Sequence, residues 1–369
     1  MNDRERFVRT MTFQSVDRPP LVEWGYWGDT VDRWRQEGLP SHERPWQFFH
    51  LDKWRGIADG EEVGFGVGPL PAYVTRTLEE TPDHRIVRGA NGITRTEYKR
   101  GTSMPHWIDF PVKDRATWKE FQSRLNPHDI RRYRSDWGPE LIEELRIRDC
   151  PLILTLAGSF FGWMRDWMGL ERLLYTYYDD PGLIHEMAEY MEWFTIEVAR
   201  ELVSNVHYDC VNFWEDMAMK TGPLISPRLF REFIAPHYRR VVDFYRSHGV
   251  ELFAVDSDGC MDQLIPLFMD VGVTVFHPME AAAGMDPVAV RRKYGRQVGM
   301  WGGIDKRALR GSHEEIEAEV RSRVPELIAS GGYVPFIDHH VPPDISLENY
   351  SYYQNLLRSI FGMESVQTG

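Results

Sequence analysis

From about residue 151 onward the chain alternates two hydrophobic patterns. Short, nearly unbroken apolar runs ("PLILTLAGS", "DCVNFWED", "ELFAVD", "VTVFHP", "QVGMWGG" and "GYVPFID") each give way to a polar turn and then to apolar positions at helical spacing. Runs apolar on both faces belong to strands covered on both sides, as in parallel sheets with right-handed helical crossovers. The helix "SPRLFREFIAPHYRRVVDFYRSHG" is punctuated by Ser226 as N-cap, Pro227 in its first turn and Gly249 as its stop. Six strands at this pitch leave room upstream for two more, with "PPLVEWGYW" the clearest. Eight would close a (β/α)8 TIM barrel, and a doubly wound open sheet is the alternative.

Residues 61–100 break this rhythm. "AYVTRTLEETPDHRIVRGANGITRTEYKR" alternates apolar and polar residues around turn signals at "ETPDH" and "GANG". That predicts an antiparallel β-meander, inserted in the N-terminal third, which covers the barrel mouth or meets a partner. With no Ser/Gly linker and no second composition regime, residues 1–369 are expected to form a single domain.

Composition then removes function classes. A formal charge of −13 argues against nucleic acid or an anionic membrane as partner, since those need basic patches. No apolar run reaches the roughly 18 residues of a membrane span. The charged start "MNDRERFVRTMTF" lacks the apolar stretch of a secretory leader. Three scattered cysteines, Cys150, Cys210 and Cys260, fit a reducing compartment. A cytoplasmic protein is expected.

Chemistry in such barrels sits where strands end. Those positions carry Ser159, Glu215, Asp216, Asp256, Asp258, His277, Glu280, Asp305, Asp338, His339 and His340, and the first candidate strand ends with Glu23, Trp24 and Tyr26. Asp256 and Asp258 are spaced to point the same way from an extended segment. Such acids repel unless a cation lies between them or one holds a proton. Each position also has a structural reading. Asp305, before Lys306 and Arg307, suits a cap or ion pair, and Asp216 suits a turn cap. His277, before a proline, suits a core histidine, Cys260 a small buried residue, and at least one of the tryptophans ordinary core. It is the agreement of several strand ends that points to a metal or proton-transfer site.

The segments "NDRERFVRTMTFQSVDRPP", "MGLERLLYTYYDDPGLIHEM", "SPRLFREFIAPHYRRVVDF", "VDSDG", "GGID" and "HHVPPDISLENY" together resemble the uroporphyrinogen decarboxylase superfamily, from about Asp3 to Phe361. The resemblance implies a (β/α)8 barrel with its cleft at the strand C-termini, and a homodimer. The porphyrin decarboxylases carry an "RQAGRY"-type segment whose arginines hold substrate carboxylates. Here "EWGYWGDTVDRW" stands in its place, which disfavours a polyanionic tetrapyrrole. The corrinoid-linked methyltransferases bind zinc through His-x-Cys and a later Cys. Laid on this chain, those positions are Asp256, Asp258 and His339.

Carboxylate and imidazole ligands suit a divalent metal, zinc first, with manganese or iron as alternatives. The resemblance thus implies a metal site of Asp256, Asp258 and His339, with Glu215 or Glu280 adjacent and Asp256, Asp258, His339 and Glu215 catalytic. Glu23, Trp24, Tyr26, Ser159, His277, Glu280, Asp305 and His340 would line the substrate pocket. The function expected is metal-dependent methyl transfer from a small methoxy or hydroxy compound, with a corrinoid supplied in trans on a partner protein. A decarboxylase or other carbon–carbon lyase for a small hydroxylated acid is the second reading, and a non-catalytic small-molecule binding protein the third. Exposed aromatics in "PWQFFHLDKW" and in the meander are expected to supply the dimer surface.

Overall fold

The computed structural model describes residues 1–56, 63–99 and 105–366. Its first four strands, β1 (Arg76–Glu80), β2 (His84–Arg88), β3 (Thr94–Tyr98) and β4 (His106–Asp109), pair antiparallel in sequence order. This is the expected insertion, although positions 61, 62 and 100 of its expected span lie outside the described residues. There follow β5 (Ile153–Leu154), β6 (Cys210–Trp214), a small hairpin of β7 (Ala218–Met219) and β8 (Gly222–Pro223), β9 (Leu252–Asp256), β10 (Val275–His277), β11 (Gly299–Trp301) and β12 (Tyr333–Val334). Six of them form one parallel sheet in the order β12-β11-β10-β9-β6-β5.

Two extended segments close that sheet into a TIM barrel. The Leu21 carbonyl accepts the Asp52 amide at 2.8 Å, and Arg55 bridges in parallel to Leu152 beside β5. On the other edge Tyr26 bridges to Val341, beyond β12. Residues 21–26 and 51–55 thus occupy the two strand positions that the spacing left room for, as extended segments held by isolated bridges. The punctuated helix is also present, with the Ser226 hydroxyl accepting from the Leu229 amide, but its second turn, Phe230–Ile234, is a π-helix.

Side chains alternate across each strand, and this sorts the core in two. Val22, Cys210, Ala254, Val275, Trp301 and Val334 belong to one buried cluster, inside the ring. A larger cluster lies between the ring and its helices. The first helix, Asp3–Met11, plugs the bottom of the barrel. Phe7 meets Trp301 at 5.8 Å between ring centroids, and the Trp301 indole N–H donates to the Met11 sulfur at 3.3 Å. The same helix bonds to the loops that enter β5 and β12, through Arg4 N–H to the Asp149 carbonyl and Gly332 N–H to the Thr10 carbonyl. The opposite end, where the strands finish, is left for chemistry.

The same alternation divides Glu23 from Trp24, and Tyr26, two residues on, departs from it where the segment bridges to Val341. Trp24 turns inward, edge-on to His277 at 4.8 Å and to His340 at 5.8 Å. Glu23 and Tyr26 turn the other way, toward the helix Leu347–Ile360, where both meet the Tyr350 hydroxyl at 3.1 Å. The structure therefore places Glu23 and Tyr26 away from Trp24: Glu23 because strand neighbours face opposite ways, and Tyr26 because its ring leaves the alternation to pack on Tyr350. Glu23 also borders a flanking cavity of about 460 Å³ with Arg44, Trp54, Glu144 and Cys150. The dimer-surface expectation is corrected in part. In "PWQFFHLDKW", Pro45, Phe49 and Leu51 are buried, whereas Val74, Leu78, Tyr98, Trp107 and Ile108, in or beside the meander, are exposed.

Burial holds the Glu23 carboxyl up at about 8, against 4.5 for an ordinary glutamate. The folded chain keeps this proton where the unfolded chain has lost it. The group's stabilising contribution is therefore complete below about 4.5 and is lost as pH rises toward about 8. Glu23→Gln should remove this dependence. Its melting temperature should gain on the parent's as pH rises from about 5 to about 8, with turnover unchanged. Lost turnover without a stability change would put Glu23 back in the cleft.

Candidate functional site

The site is built by the turn that follows β9. Asp256, the last residue of that strand, pairs in register with Trp214 of β6 and with His277 of β10. Gly259 then takes a φ of +88°, and a Cβ there would stand 2.5 Å from the Ala218 carbonyl. Glycine alone tolerates both the sign of φ and that approach. The turn recruits two more acids through its amides. Asp258 N–H donates to Asp216 Oδ1 at 3.2 Å, and Gly259 N–H donates to Glu280 Oε2 at 2.8 Å. Asp216 and Met279 hold positive φ angles of 43° and 59° beside these acids. Such strain concentrates at functional sites.

Two sets of ligating atoms result. Asp258, Glu280 and His339 place theirs within 4.8 Å of one another, and so do Asp216, Asp256 and Asp258. His339 Nε2 lies 3.3 Å from Asp258 Oδ1, and His339 Nδ1 lies 3.5 Å from Asp338 Oδ1. The expected convergence of Asp256, Asp258 and His339 on one point is thereby refined. Asp258 is common to both sets, but Asp256 sits with Asp216 while His339 sits with Glu280.

The charges around this mouth do not balance. Burial, then the neighbouring carboxylates of Asp216 and Asp258, push the Asp256 carboxyl well above its usual range. Burial and Asp258 likewise raise Asp216, against the opposing Arg165. For Asp258, burial is outweighed by His339 and Lys306, which hold the carboxyl low. For His339, burial is outweighed by Asp258 and Asp338, which lift the imidazole to about 9. Carboxylates this close together either share protons or share a cation.

Other expected site residues have different employment. Glu215 is fully buried and accepts from the amides of Phe160, Phe161 and Gly162, from Ser159 Oγ and from the Tyr238 hydroxyl. Those donors saturate both its oxygens, so Glu215 and Ser159 lie outside the two ligand sets and brace the loop after β5. Asp305 is taken up by Arg307, with oxygens 2.7 Å and 2.9 Å from the guanidinium, as its ion-pair reading anticipated. Burial, then His339, lowers His340, which stands against the Trp24 ring. His277 is almost wholly buried, with Nε2 2.8 Å from Asn212 Oδ1.

Four further residues belong to the site. Asp216 and Asp338 stood at strand ends in the sequence and were identifiable there. Asn212 had a subtler signal, as the one amide in an otherwise apolar strand. Arg165, which donates to the Asp216 carbonyl at 2.6 Å and faces its carboxylate at 3.5 Å, reaches in from the helix Gly162–Met168. Nothing in its local sequence marks it.

Barrel and site together define the class: a TIM-barrel protein with carboxylate and imidazole donors gathered at the strand C-termini. The chain belongs to the uroporphyrinogen decarboxylase family, whose model, described as uroporphyrinogen decarboxylase, matches residues 139–359, more than half of the chain. Among solved structures it is similar to a methyltransferase from Methanosarcina mazei, with 14% identity, 98% of this chain and 99% of that one covered, and a TM-score of 0.58. A B12-independent methionine synthase from Shewanella sp. W3-18-1, in complex with selenomethionine, overlaps over 62% of this chain and 67% of its own, with 14% identity and a TM-score of 0.36. No curated protein matches the chain. No helix among the described residues is long and apolar enough to cross a membrane.

Proposed function

We propose that this chain is a metal-dependent methyltransferase acting on a small methoxylated or hydroxylated compound, with a corrinoid protein as the methyl acceptor. The observation that carries this reading is the meeting of Asp258, Glu280 and His339 at the ends of three barrel strands. Two carboxylates and an imidazole suit zinc, and after it manganese or iron. The donor set fits such an ion. Its acids are in excess over nearby cations, and His339 Nδ1 is buried without a hydrogen-bond partner. When bound, the ion supplies Lewis acidity toward a substrate oxygen.

The chain's own side chains would hold the substrate and exclude water. Trp24, edge-on to His277, Phe336 and His340, forms an apolar wall beside the donors. A drier site strengthens each charge interaction within it. Carbon–carbon lyase chemistry on a small hydroxy acid is the second reading. It is favoured by Arg165 and Lys306, cations beside Asp216 and Asp338 that could hold a substrate carboxylate.

The test is demethylation of a panel of methoxylated compounds with reduced corrinoid, before and after chelation. Turnover should disappear when the metal is stripped and return when zinc is added. Carbon dioxide release from a hydroxy acid by metal-free protein would replace this reading with the lyase.

A further inference from the structure

We propose that the barrel mouth holds a second divalent cation, ligated by Asp216, Asp256 and Asp258 and completed by His277 from beside Asp256, with Asp258 shared between the two metal positions. The sharing rests on the proposed first position at Asp258, Glu280 and His339; the ligands of the second do not.

Three neighbouring acids would not carry this by themselves, since one of them can simply keep a proton. The independent observation is His277. Its residue is 2% exposed, and its Nε2 lies 2.8 Å from the side-chain oxygen of Asn212. An amide oxygen only accepts, so Nε2 carries the proton and Nδ1 presents a bare lone pair. That Nδ1 is buried and has no hydrogen-bond partner. It lies 3.9 Å from Asp256 Oδ1. The gap is too long for a hydrogen bond. Two metal–ligand bonds of about 2.1 Å would span it.

The surroundings match a ligand histidine. A metal-bound imidazole almost always gives its other N–H to an oxygen that fixes its tautomer, and Asn212 does so here from the adjoining interior of β6. Register places Asp256 and His277 side by side on β9 and β10. Arg165 stands 3.5 Å from Asp216 Oδ2, but among the described residues Asp256 has no lysine or arginine partner. Asp258 belongs to both donor sets, the arrangement in which one carboxylate bridges two ions. Paired ions of this kind clamp an oxygen anion between them, so the pocket would select substrates by an oxygen that becomes negative.

Zinc content should be measured by elemental analysis after the full-length protein is equilibrated with excess zinc and desalted. Two zinc ions per chain are expected, falling to one in His277→Phe and to one in His339→Ala. Asn212→Leu leaves every proposed ligand in place and should weaken the second zinc by about 10- to 100-fold, which covers the case in which His277→Phe fails to fold. One zinc in the parent, falling to none in His339→Ala, would overturn the second position and leave the proposed function standing. No zinc in the parent would overturn both. Two zinc ions kept in both His277→Phe and Asn212→Leu would overturn the role given to His277.

Discussion

His339→Ala is expected to lower turnover by at least about 100-fold while leaving the fold intact. Loss of a residue that merely supports a ligand weakens metal binding by about 10- to 100-fold, and loss of the ligand itself should exceed that. His339 brings the sole nitrogen in the set with Asp258 and Glu280, so zinc affinity should fall in parallel with turnover. The stability loss should stay below that of a core deletion, about 2–5 kcal/mol, because the side chain is a quarter exposed and belongs to neither apolar core cluster. The check is turnover and melting temperature on one preparation, with zinc content measured alongside. A drop in melting temperature like that of a core deletion, with activity per folded molecule retained, would make His339 structural.

How far the sequence could be read follows from which interactions are local. The strands of the second half announce themselves because each is an apolar run ended by a polar residue, and a barrel demands that pattern. The segment 21–26 was read as a strand, whereas 51–55 was not, since it joins its neighbours through an isolated bridge and loop-like hydrogen bonds. Asp256, Asp258, Glu280 and His339 were legible as a group because strand ends of a barrel share one rim. Their partition was not. It depends on the left-handed turn at Gly259, whose amide draws in Glu280 while that of Asp258 draws in Asp216. Glu23 and Tyr26 were misplaced for simpler reasons. Strand parity separates Glu23 from Trp24, whereas Tyr26 shares the parity of Trp24 and leaves its face only through a contact with the distant Tyr350.

Glu215 shows the limit most clearly, because its sequence position is that of a catalytic acid and its environment is that of a brace. Its oxygens receive three consecutive backbone amides, Phe160 to Gly162, together with Ser159 and Tyr238. Glu215→Ala would leave all of these donors buried without an acceptor. Leaving a buried donor unsatisfied costs about 1–3 kcal/mol, and several are left here, so this variant should show the larger stability loss of the two. Urea unfolding should give a lower midpoint at an unchanged slope. Activity should fall only as far as the folded fraction falls, because Glu215 contributes no atom to either ligand set. A Glu215→Ala protein that kept its unfolding midpoint but lost turnover would return this carboxylate to the chemistry and make the five donors incidental.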